Sequence, residues 1–139
     1  MKILLFEQFN NKKIIGYHIT REKLLPQILK KGLEPRVPQD YGDRGDMKGV
    51  YLFKTVDDFD NALTNWFGER IEEWEEEKNK EFDESLIVVD LTGLELYDSV
   101  EFEWTCLEHI HPDRFLEVFK YDDFGTDIYE HLKSTYENQ

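Results

Sequence analysis

One cysteine stands in 139 residues, Cys106, so the chain can close no internal disulfide and build no multi-cysteine zinc site. Cations are scarce as well: 17 Lys and Arg face 31 Asp and Glu, a net charge of −14. That balance argues against a generic nucleic-acid or anionic-membrane binder, whose phosphate contacts need clustered Lys and Arg, while leaving room for a small local basic patch. Long apolar runs are missing too. The segment Met1–Phe6 carries one Lys and a short apolar run, followed by Glu7 and Gln8. A signal-peptide core needs about 7–15 apolar residues and a membrane span about 20. The expectation is a cytoplasmic protein with no membrane association. A Gly-rich phosphate loop and a nucleophile elbow are both absent. The four histidines show no metal-ligand spacing. His109 and His111 stand two apart in an extended segment with no third ligand spaced to them, and His131 has no spaced partner. No metal is expected. Cys106 in a β-rich segment reads as a small core residue rather than a thiolate.

What is present is apolar and aromatic material for a core: 40% hydrophobic residues, with ten Phe, seven Tyr and three Trp. One domain over 1–139 is expected. Residues 1–9 and 14–20 read as strands separated by the polar turn Asn10-Asn11-Lys12-Lys13. Leu24, Leu25, Ile28 and Leu29 form one stripe of a short helix, with Pro26 in its first turn, Lys30 and Lys31 in its last, and Gly32 as an αL stop. Residues 33–48, with Pro35, Pro38, Gly42 and Gly45, form a long loop. A strand over 49–53 follows, and Thr55 caps a helix whose apolar face is Phe59, Ala62, Leu63 and Trp66. Strands are expected over 85–91, 101–110 and 115–119, and a terminal helix over 127–136 with Ile128, Leu132 and Tyr136 on one side. The order β–β–α–loop–β–α–β–β–β–α is an α+β pattern. Residues 68–85 read as an acidic helical insertion: nine of the sixteen residues 69–84 are acidic. Its charges either form a solvated helix face with pairs such as Glu76–Lys80, or mimic nucleic-acid phosphates toward a basic protein partner.

Three separated segments carry the functional reading. They are Gly16-Tyr17-His18-Ile19-Thr20, leading to a helix that ends Gly32-Leu33-Glu34-Pro35; Gly49-Val50-Tyr51-Leu52; and the stretch from Glu103 through Ile110-His111-Pro112-Asp113-Arg114-Phe115. In order and spacing this resembles the ADP-ribosyltransferase superfamily, in its His–Tyr–Glu branch of small single-domain bacterial or phage-like members. The resemblance implies a split mixed β-sheet core with flanking helices and NAD as the substrate, with no metal. It implies that His18 and Thr20 bind the cofactor, that Tyr51 stacks on the nicotinamide ring, and that Glu103 holds the nicotinamide ribose and stabilises the oxocarbenium-like charge as nicotinamide leaves. Read only by residue type, Tyr51 is core packing, His18 a satisfied strand histidine and Glu103 a surface group. Glu101, two residues before Glu103, shares its strand face under the predicted strand, so either glutamate can be the acid. The distance to Ile110 fits Glu103 to the family turn better, and the resemblance then implies an auxiliary, acceptor-orienting role for Glu101. For the pyrophosphate the arginines are Arg44, Arg36 and Arg21, and Arg44 is assigned here as the cofactor-binding residue.

The function so implied is NAD-dependent transfer of ADP-ribose to an acceptor that is a protein side chain, a nucleobase or a small molecule. The alternative is a catalytically silent ADP-ribosyltransferase-like domain that binds a basic protein. RNA 2′-phosphotransferase is a third reading, disfavoured because it needs several basic residues around the pocket that the sequence does not locate. His18, Tyr51 and Glu103 are expected to line one cleft.

Overall fold

The computed structural model describes residues 13–36, 48–62, 84–120 and 126–137. The expected strand over 1–9, Arg44, the helix-face residues Leu63 and Trp66, and the body of the acidic insertion lie outside these. Six strands form one sheet: β1 (Ile15–Arg21), β2 (Val50–Phe53), β3 (Glu84–Asp90), β4 (Leu96–Val100), β5 (Glu103–Cys106) and β6 (Phe115–Lys120), in the order β4-β5-β2-β1-β3-β6. Three helices accompany it: α1 (Leu25–Lys31), α2 (Val56–Asn61) and α3 (Thr126–Leu132). The architecture is therefore α+β. Among the described residues every strand pairing is antiparallel, and the expected mixed pairing is not seen among them. Among the described residues, no helix is long and apolar enough to cross a membrane.

Local sequence explains most of the elements. A short 3₁₀ turn over Glu22–Leu24 leads into α1, and Pro26 falls in the first turn, where its missing N–H costs nothing. Gly32 ends α1 with φ +88° but an extended ψ of −168°, so it is a positive-φ stop and not the expected αL residue. Thr55 Oγ1 accepts a hydrogen bond from the Asp58 amide at 3.0 Å, as an N-cap should. The carboxylate of Glu137, from a π-helical turn at Lys133–Glu137 after α3, accepts the Val56 N–H at 2.7 Å. Two amide donors at the start of α2 are thus satisfied from two parts of the chain.

Strand alternation sorts the core into two layers. One side holds Val50, Leu52, Ile87, Val89, Cys106 and Ile110 beneath α1, which contributes Leu25. The other holds Tyr17, Phe53, Leu86 and Val88 beneath α2 and α3, which contribute Val56, Phe59 and Leu132. The last of these, with partly buried Ile128 and Tyr136, is the expected apolar side of the terminal helix.

The strand missing from the sequence reading is β4. It pairs with β5 as a hairpin whose turn contains Glu101 and Phe102. The strand predicted over 101–110 therefore runs only from Glu103 to Cys106. Beyond it the chain is irregular as far as Ile110, which exchanges two backbone hydrogen bonds of 2.9 Å with Leu33. Along this irregular stretch the rings of His109 and His111 meet edge-on with centroids 6.5 Å apart.

Candidate functional site

The sheet has a seam. β1 runs in register with β3 from Ile15 opposite Asp90 to Arg21 opposite Glu84, and β2 runs in register with β5 from Val50 opposite Cys106 to Phe53 opposite Glu103. Between β1 and β2 there is one cross-strand pair, Tyr17 with Phe53. A cleft of about 230 Å³ opens where these strands part, lined from β1, α1, β2 and β5.

His18, Thr20, Tyr51 and Glu103 all line this cleft. By alternation alone, His18 and Glu103 would fall on opposite faces, because Tyr17 and Phe53 are paired and Glu103 sits opposite Phe53. Both nonetheless line the cleft that opens at the seam, where the two strands share one register pair. The His18 side chain reaches across, and its Nδ1 lies 2.9 Å from the Tyr51 carbonyl oxygen. A carbonyl only accepts, so Nδ1 carries the proton and donates. Burial pushes the imidazole below its usual pKa of 6.5, against the opposing pull of that hydrogen bond. At neutral pH the ring is uncharged, and Nε2 is left as an acceptor.

The sign of this shift gives a prediction. His18 stays neutral in the folded protein at pH values where the unfolded chain protonates it, so its contribution to stability is full above about pH 6.5 and shrinks as pH falls below it. We expect the stability advantage of wild type over His18→Asn in urea unfolding to be smaller at pH 5.5 than at pH 7.5. An advantage that grows on acidification would contradict the neutral assignment.

Glu103 is 5% exposed, a buried carboxylate rather than the surface group its residue type suggests. Glu101 is exposed in the β4–β5 turn and does not line the cleft, so the shared strand face expected of the two acids is corrected. The expected pairing failed because it assumed a strand where the hairpin turns. Arg44 lies outside the described residues. Of its two alternatives, Arg36 lines the cleft, while Arg21 does not and sits 3.8 Å from Glu84 across the β1–β3 ladder.

Two glycines let the walls close. A Cβ on Gly32 would lie 2.2 Å from the Ile110 carbonyl oxygen, and one on Gly49 would lie 2.5 Å from Thr105 Cγ2. Gly49 and Arg36 exchange backbone hydrogen bonds of 2.9 and 3.0 Å. Together with the Leu33–Ile110 bridge, these bonds pin both ends of residues 33–36 along the cleft rim. His109 Nε2 donates to the Lys31 carbonyl at 2.6 Å and lies 3.4 Å from Glu34 Oε1, fastening the end of α1 to the same segment. Sequence reasoning missed Lys31, Gln27 and Glu34 as cleft residues; they sit on or just after α1, on the side that turns toward β1.

Cys106 is buried behind β5, and burial raises its thiol pKa to about 11, so it is a packed thiol and not a nucleophile at neutral pH. Among the described residues, no group of three or more His, Cys, Asp or Glu is placed to hold a metal ion. No family model matches this chain, and no curated protein matches it.

Proposed function

We propose that the seam cleft binds NAD and that the protein transfers ADP-ribose from it to an acceptor. The observation that carries this reading is the convergence of His18, Thr20, Tyr51 and buried Glu103 on one cleft from three strands. In the proposed reaction the C1′–N glycosidic bond of the nicotinamide ribose breaks, and its electron pair leaves with neutral nicotinamide. Positive charge then builds on C1′ and the ring oxygen. Glu103 supplies fixed negative charge next to the ribose, where an electrostatic partner lowers the barrier most because it needs no reorganisation. The acceptor's nucleophilic atom bonds to C1′ and its proton passes to solvent. Tyr51 offers an aromatic face to the nicotinamide ring. His18 offers Nε2 to a ribose hydroxyl, since Nδ1 is already committed to the Tyr51 carbonyl.

The reading also places the protein in the cytosol, where a lone buried thiol stays reduced. The test is to incubate purified protein and a cell lysate with NAD labelled in its adenylate half, measuring free nicotinamide and the label on protein, nucleic acid and small molecules separately. Nicotinamide release with label on one acceptor class supports the reading and names the acceptor. NAD binding without release under any condition would favour the silent binding domain, whose partner is a basic protein.

A further inference from the structure

Two buried side-chain polar atoms lack a hydrogen-bond partner among the described residues, Tyr17 OH and Ser85 Oγ. The first belongs to the seam, because Tyr17 and Phe53 are the one register pair between β1 and β2. Tyr17 precedes the cleft residue His18 but does not itself line the cleft. It is 1% exposed and lies in the core layer with Val56 and Leu132, against which Tyr136 of the terminal turn packs. A buried hydroxyl without a partner is destabilising, so its place at the seam calls for a reason.

Glu137 stands beside it. Its Oε1 accepts the Val56 N–H at 2.7 Å. Val56 comes just after β2, so this bond fixes Glu137 to the β2 side of the seam, while Tyr17 belongs to β1. Burial first, and then the charge of Glu137, push the Tyr17 phenol above its usual pKa of 10. The carboxylate is therefore near the hydroxyl, although no hydrogen bond joins them. Other polar groups of the terminal turn are engaged elsewhere: Tyr136 donates to Glu117 at 2.5 Å, and Lys133 to Asp57 at 3.1 Å. In the cleft itself, His18 Nδ1 on the Tyr51 carbonyl already ties β1 to β2.

We propose that Tyr17 and Glu137 form a ligand-gated staple across the seam: the hydroxyl is unpaired in the free protein and donates to the second oxygen of Glu137 when a ligand tightens the seam. A ligand held by both His18 and Tyr51 draws β1 toward β2, and Tyr17 moves with β1 toward a carboxylate anchored beyond β2. The bond so formed is charge-assisted and belongs to the closed seam alone, so it adds to the ligand's preference for that state. Both are positioning residues, and neither touches the ligand. The identity of the ligand as NAD rests on the function proposed above; the unpaired hydroxyl and its placement do not.

The test is a double-mutant cycle on the full chain: Tyr17→Phe, Glu137→Ala and the two together, read by NAD titration and by urea unfolding without ligand. Tyr17→Phe removes a hydroxyl that pairs with nothing in the free protein, so its stability without ligand should equal or exceed that of wild type. Its NAD affinity should fall by about tenfold, the scale of one hydrogen bond to a charged group. In the Glu137→Ala background the same change should leave NAD affinity within about twofold, because the acceptor is gone. Glu137→Ala uncaps Val56, but Thr55 still accepts the Asp58 N–H to hold the start of α2. If that variant does not fold, Glu137→Gln takes its place in the cycle. It keeps an acceptor for Val56, offers the hydroxyl no charged oxygen, and should give a smaller coupling of the same sign. A loss of stability in ligand-free Tyr17→Phe would overturn the inference. So would NAD binding that Tyr17→Phe weakens equally in both backgrounds, and that result leaves the NAD reading standing. No NAD binding in wild type would remove that reading and the staple with it.

Discussion

Glu103→Gln is expected to cut nicotinamide release by about 10²–10³-fold while changing NAD affinity little, the scale of losing one well-placed electrostatic group. The substitution keeps shape and one acceptor oxygen, removes the charge and turns the second oxygen into an amide donor. Because the side chain is 5% exposed, water cannot easily replace what is lost. Glu101→Gln is the comparison: an exposed turn residue that does not line the cleft should leave nicotinamide release within about twofold. If it acts at all, it should lower transfer to the acceptor. Unimpaired release in the Glu103 variant would remove the acid from the mechanism, and equal losses in both variants would mean that burial does not distinguish them.

Gly32→Ala should destabilise the fold by about 2–4 kcal/mol. Part of this is the positive φ of +88°, which costs a residue with a Cβ roughly 1 kcal/mol. The rest is steric. The new Cβ would stand 2.2 Å from the Ile110 carbonyl oxygen, which is main chain and itself receives the Leu33 N–H. Relieving the clash means giving up hydrogen bonds of about 0.5–1.5 kcal/mol each and lifting the cleft rim off the chain after β5. Gly93 provides the control, with φ +87° and open space where its Cβ would go, so Gly93→Ala should cost only about 1 kcal/mol. Urea unfolding of the two variants separates backbone strain from the clash, and similar losses would show that the contact with Ile110 is not rigid.

Much of this was legible in the residue pattern, for physical reasons that can be stated. β1 and β3 are runs of β-branched residues, α1 has a proline where a helix tolerates it and a glycine where it stops, and Thr55 caps as its side chain allows. β4 was not legible. It lies at the sheet edge, and within it Leu96 is the residue that joins the core, among Asp98 and exposed Val100, so no alternation marks it. That one omission misplaced the turn at Glu101 and gave two glutamates a common face they do not have. Three cleft residues were visible as separate motifs, but their meeting was not derivable from strand parity, which would set His18 and Glu103 apart. It occurs at a seam where β1 and β2 share one pair. Arg36 could not be chosen from sequence because the backbone bridge to Gly49 that sets it on the cleft rim leaves no mark in the residue pattern.

The central claim is that NAD occupies the seam cleft, and thermal unfolding of wild type and His18→Ala across a range of NAD concentrations tests it most directly. A ligand that binds only the folded state adds about 2.7 kcal/mol of stability at a concentration 100-fold above its dissociation constant. The account predicts a melting temperature for wild type that rises continuously with NAD up to millimolar concentrations, a much smaller rise for His18→Ala, and a rise retained in Glu103→Gln. No rise in wild type at millimolar NAD, or an equal rise in His18→Ala, would contradict it.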